Sequence, residues 1–171
     1  MVNLATRAIE STACFSECKR FRFWLKRKFN SGEGSINFVM LNPSTADEFY
    51  NDPTVLRCEL RAIAEGFKEM TVTNLFAFRA TEPKDMKEFY KNKLTKEYFE
   101  NLEHIEKIAE NSKKIICAWG NDGAYLKTSE KVRDILKNHR HKIFYLKMNK
   151  SGEPQHPLYI SPSLKATNWI F

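Results

Sequence analysis

Four short apolar runs, each closing on turn-forming residues, constrain this chain more than any other feature: INFVM at 36–40, EMTVTNLFAF at 69–78, KKIICAWG at 113–120 and HKIFYLKM at 141–148. Between them lie segments of helical period. DPTVLRCELRAIAEGF opens with Asp52 as an N-cap and Pro53 at the first helical position, carries Val55, Ile63 and Phe67 inward, and stops near Gly66. LTKEYFENLEHIEKIAENS places Phe99, Leu102, Ile105 and Ile108 at three-to-four spacing with charges between them, and AYLKTSEKVRDILKNH repeats the pattern. Strands alternating with helices predict right-handed crossovers and a mostly parallel sheet covered on both faces. The expected fold is therefore α/β: a three-layer sandwich around a central, mostly parallel four-stranded sheet, in a single domain over residues 1–171. RFRFWLKRKF at 20–29 has the period of a half-buried strand, and the turn NSGEGS predicts that it pairs with 36–41 as an N-terminal antiparallel hairpin. KDMKEFYKNK is expected as a short helix in the irregular stretch 79–95.

Hydrophobic residues make up 42% of the chain and aromatics 13%, enough for a core without disulfides or metal. The formal charge of +7 raises the local concentration of polyanions, so nucleic acid is a candidate partner, evenly weighed on charge alone against a merely solvated lysine-rich surface. No run reaches the roughly 20 apolar residues of a membrane span and the N-terminus lacks an apolar signal core, so a cytoplasmic protein without membrane contact is expected. Cys14, Cys18, Cys58 and Cys117 form no CxxC pair and lie in segments that read as helix or strand; they are expected to be reduced, although the spacing of Cys14 and Cys18 would let them share one face if their segment were helical.

The least fold-like residues fall at strand ends: LNPSTAD, TNLFAFRAT, AWGNDG and GEPQHPLYIS. In an open α/β sheet the carboxyl ends of the strands are where ligands bind. Asn42 and Asn74 can each donate and accept, which suits reading a nucleobase edge or holding a water, and His156 can donate to a developing anion. The chain has no Gly-x-Ser-x-Gly elbow, no Gly-rich phosphate loop and no zinc-spaced cluster. Covalent hydrolase, nucleotide-phosphate and metal chemistries are disfavoured, and no cofactor is expected. As ordinary structure, Asn42 caps a turn, Asn74 pins a strand end and Trp119 belongs to the core; Asp47 and Asp52 are the runners-up for a carboxylate role, though Asp52 is already explained as a helix cap.

The runs MLNPSTAD, DPTVLRC, TNLFAFRAT, AWG and HPLYI together resemble the family called domain of unknown function 1643 over nearly the whole chain. Their order is more distantly similar to the uracil-DNA glycosylase superfamily. That resemblance implies that Asn42 positions a water, Asn74 reads the base, and His156 stabilises the departing base, with Leu158, Tyr159 and Ile160 on a loop that wedges into the duplex. Ser44 stands where many members have a thymine-excluding Tyr, and Leu158 and Tyr159 replace the usual Ser-Pro after His-Pro. Breaking a base–sugar bond passes through an oxocarbenium-like state and needs no covalent nucleophile. Phe49 or Tyr50 would stack on an extruded base, and Arg57, Arg79 and Lys150 would hold the backbone. The expected activity is hydrolysis of an N-glycosidic bond of a damaged or modified base in DNA; the alternatives are a non-catalytic module sensing a flipped base and a small-molecule nucleoside hydrolase.

Overall fold

The structure is a computed structural model and describes residues 9–47 and 49–171. The expected absence of a signal core rests in part on residues 1–8, which lie outside them. Among the described residues seven strands form one sheet: β1 (Ile9–Phe15), β2 (Arg22–Phe29), β3 (Ser35–Met40), β4 (Glu69–Asn74), β5 (Lys114–Cys117), β6 (Ile143–Tyr145) and β7 (Thr167–Asn168), in the order β1-β2-β4-β3-β5-β6-β7. The β4-β3-β5-β6 quartet is parallel throughout, and β1, β2 and β7 add antiparallel edges.

The four-stranded parallel core expected from the strand–helix alternation is present, but the sheet is wider and the predicted hairpin is wrong. β2 pairs with β1 and β4, and β4 separates it from β3. The reason is burial. β3 is buried along both faces after its first residue, as an interior parallel strand must be, whereas β2 turns Lys26 and Lys28 outward and sits nearer the edge.

Helix α1 (Pro53–Ala64) begins where its sequence says it should: the Asp52 carboxylate accepts the Val55 amide at 2.8 Å, and Pro53 occupies the first turn. Its inward face is Val55, Cys58, Glu59 and Ala62, not Ile63, which is exposed. This face covers Ile36, Phe38 and Met40 of β3 and Met70 and Val72 of β4. On the opposite face, α3 (Lys96–Asn111) contributes Tyr98, Ile105 and Ala109, and α4 (Thr128–Leu136) contributes Val132 and Leu136, against Val39, Ile115 and Cys117. Phe99, expected inward, is exposed because Tyr98 takes the core position one residue earlier. Burying each such side chain is worth about 1.5–3 kcal/mol. The short helix expected near residue 84 is α2 (Pro83–Tyr90), anchored by Met86 and Tyr90. Cys14 lies in a strand and Cys18 in a turn, so the two share no helical face, and all four cysteines are free.

β2 carries one irregularity that matters below. Cys14 pairs with Trp24 but Phe15 pairs with Arg22, so Phe23 is an extra residue, a β-bulge. Phe23 stacks on His104 of α3, with ring centroids 4.7 Å apart, while Arg22 projects to the α1 side and donates to the Ala46 carbonyl.

Among the described residues no helix is long and apolar enough to cross a membrane.

Candidate functional site

The parallel strands run outward in both directions from β3, first to β4 and later to β5, so the crevice at the carboxyl ends of β3 and β5 is the switch point of the sheet. A cavity of about 340 Å³ opens beside it, at the carboxyl end of β3, lined by Arg22, Asn42, Ser44, Asp52, Thr54 and His156 among others. A hollow of about 580 Å³ between the β1–β2 hairpin and the start of α3 is larger but holds none of the strand-end residues.

Asn42 follows β3 in a loop tied to the segment after β4. Phe76 donates its amide to Leu41 O, Ala80 donates to Pro43 O, and Asn42 Nδ2 donates to Ala80 O at 2.7 Å. The amide nitrogen is thus held, and Oδ1 accepts no hydrogen bond from any described residue. A fixed amide with a free carbonyl oxygen can orient a water or a ligand N–H.

His156 comes from the loop after β6. Glu153, three residues earlier, is buried and accepts hydrogen bonds from Trp119 Nε1 at 2.5 Å and Ser129 Oγ at 2.8 Å. Gly120, whose φ of 74° favours glycine, donates its amide to Pro154 O. A Cβ on Gly120 would lie 3.9 Å from His156 Cβ, so the end of β5 and the His156 loop abut. Trp119 is therefore core, as expected, and also anchors the loop. Burial pushes the His156 imidazole below its ordinary value, and the neighbouring Asp52 charge only partly opposes this. The imidazole is neutral at pH 7.

Two lining residues carry charge: Asp52, a runner-up for a carboxylate role in the sequence, and Arg22, which the sequence reading did not use. Asp52 caps α1 through Oδ1 and also faces the cavity, so the cap role does not exhaust its carboxylate. Arg22, which strand alternation would set on the solvent face, is 1% exposed. No pattern in RFRFWLK announces its burial, because the bulge at Phe23 reverses the side to which residue 22 points. Burial lowers its pKa to about 10, opposed first by Asp52, and leaves the guanidinium charged at neutral pH.

The other candidates divide. Ser44, Leu158 and Tyr159 line the cavity with Asn42 and His156. Asn74 is fully buried at the end of β4, is the cross-strand neighbour of the lining residue Met40, and has neither amide atom paired; it is absent from the cavity wall. Phe49 and Tyr50 are 80% and 74% exposed, beyond the lining. Their loop is built on Asp47, whose Oδ1 accepts both their amides. Ile160 corrects an expectation: at 5% exposure it packs with Val55 and Cys58 in the α1 core, so it cannot wedge into a duplex. Arg57 lies on the outer side of α1 and Lys150 in an exposed turn. Arg79 is half-buried, with its guanidinium 5.1 Å from the Phe15 ring centroid.

The wall thus combines a carboxylate, a neutral imidazole, an oriented amide and a buried cation, a set suited to stabilising charge of either sign on one small ligand. Among the described residues no three His, Cys, Asp or Glu side chains cluster to hold a metal ion.

No curated protein and no solved structure matches the chain. A family model described as "Protein of unknown function (DUF1643)" matches residues 22–158, a span that begins at Arg22 and ends at Leu158, both of them on the cavity wall. The chain belongs to that family, DUF1643.

Proposed function

We propose that the protein recognises a nucleobase and hydrolyses an N-glycosidic bond, of a damaged or modified base in DNA. The observation that carries this is the meeting of Asn42, Asp52 and neutral His156 in one cavity beside the switch point of a parallel sheet. In such a reaction the sugar becomes positive and the base negative in the transition state. Asn42 Oδ1, unpaired and held in place through Nδ2, accepts from the attacking water. Asp52 offers a carboxylate to the developing oxocarbenium ion and to the water's proton. His156, donating as a neutral imidazole, stabilises the departing base without first giving up a proton of its own. The similarity of motif order to the uracil-DNA glycosylase superfamily supports the same assignment for Asn42 and His156. Asn74 reads the base in that resemblance, and its two amide atoms are buried and unpaired beside β3, outside the cavity wall.

The test is release of free base from oligonucleotides carrying a panel of deaminated and alkylated bases. Release is expected from the parent protein, with Asn42→Ala and His156→Ala each lowering the rate by roughly 10²-fold or more while binding persists. If no oligonucleotide or free nucleoside releases base, hydrolysis is wrong. Retained salt-dependent binding would then mark a non-catalytic module, and release from nucleosides alone would mark a small-molecule hydrolase.

A further inference from the structure

We propose that Arg22 is an anion-binding residue of this cavity and that the ligand it receives carries a phosphate, which rests on the nucleobase reading for the remainder of that ligand. Arg22 is 1% exposed, yet its guanidinium is under-used. Nη1 donates to Ala46 O at 2.5 Å, Nε is buried without a partner, and Nη2 makes no hydrogen bond to any described residue. No described carboxylate forms an ion pair with it. A buried cation is costly unless its donors are satisfied, and a planar fork with two spare nitrogens matches an oxyanion.

The surroundings agree. Arg27 and Arg79 lie close enough to act on Arg22 electrostatically, as do the carboxylates of Asp52 and Asp47. Of the opposing carboxylates, Asp47 is held by the amides of Phe49 and Tyr50, and Asp52 is half committed to Val55. The Ser44 and Thr54 hydroxyls line the same cavity and make no hydrogen bond to described residues, so both can donate to a phosphate oxygen. The chain lacks a Gly-rich phosphate loop, and here a buried side chain takes the place of a backbone cradle.

The phosphate could come from a free mononucleotide or from a phosphodiester of a strand. Calorimetric titration of the whole protein separates them, using the four common nucleosides, their 5′-monophosphates and a single-stranded oligonucleotide. Monophosphates are expected to bind about tenfold or more tightly than their nucleosides, as a charge-assisted fork permits. Arg22→Lys, which keeps charge but not the fork, should weaken monophosphate binding more than nucleoside binding and so bring that ratio towards one. An oligonucleotide that binds more tightly than any monophosphate, and loses affinity in Arg22→Lys, assigns the site to a strand. Equal affinity for nucleoside and monophosphate in the parent protein, a comparison that needs no variant, overturns the proposal. So does a ratio that survives in folded Arg22→Lys.

Inorganic phosphate, followed by broadening of its ³¹P resonance, distinguishes this failure from that of the hydrolysis reading. Phosphate binding lost in Arg22→Lys, without base release from any substrate, upholds the anion site and ends the hydrolysis reading. Base release at the parent rate by Arg22→Lys, from nucleoside and nucleotide alike, does the reverse.

Discussion

Single residues in this cavity hold two duties, and substitutions can separate them. Asp52→Asn keeps a good N-cap and removes the charge, so the fold should hold to within a few tenths of a kcal/mol while base release falls roughly 10²-fold; Asp52→Ala should also cost about 1 kcal/mol of stability. Urea unfolding beside the release assay checks both. His156, His104 and His139 are each pushed by burial below the ordinary imidazole value of 6.5. The unfolded chain therefore binds protons more readily than the folded one. Stability is complete above pH 6.5 and is lost as pH falls from there through the lowered folded values. Denaturation midpoints at pH 7.5 and 5.5 should show this loss, and His156→Gln should reduce it. His156 stood out in the sequence because His-Pro in a loop has few packing reasons to exist, and Asn42 only through the joint placement of unusual residues at strand ends, since Asn-Pro is an ordinary turn former. Arg22 did not, since its burial depends on a bulge that leaves no mark in the local pattern.

At the level of elements, α1 was the most legible: Asp-Pro gave its start, although its buried stripe turned out to be Val55, Cys58 and Ala62 and to exclude Ile63. Ile160 shows why the loop after β6 was misread. An apolar residue after His-Pro fits either a wedge or a plug, and only its contacts with α1 decide. Ile160→Ala should therefore cost about 2–5 kcal/mol in a denaturant melt, where an exposed wedge would cost almost nothing. Gly123 sits where a Cβ would lie 2.1 Å from Trp119 Cδ1, so Gly123→Ala must displace the indole that anchors Glu153. It should cost about 1–3 kcal/mol and weaken activity through the His156 loop, which the same melt and release assays would read.

For the whole molecule, alternation of strand and helix foretold the parallel quartet, because both depend only on local period. β2 was foretold as a strand but its partner was not, because which neighbour it chooses is a long-range matter of burial, and two-residue β7 is too short to have a period. The surplus of +7 makes a prediction at this scale. DNA affinity should fall with salt, and Arg57→Ala and Lys150→Ala should each flatten the log–log slope by about 0.9 if their side chains meet phosphates. A slope unaffected by either would remove those residues from the interface. The bulged strand has a consequence for anyone who redesigns this protein. The four parallel strands look like a self-sufficient frame, with the preceding hairpin as trim, yet the hairpin delivers the cavity's buried guanidinium. Trimming back to the frame would discard a wall of the pocket, and grafting the frame's loops elsewhere would leave that wall behind.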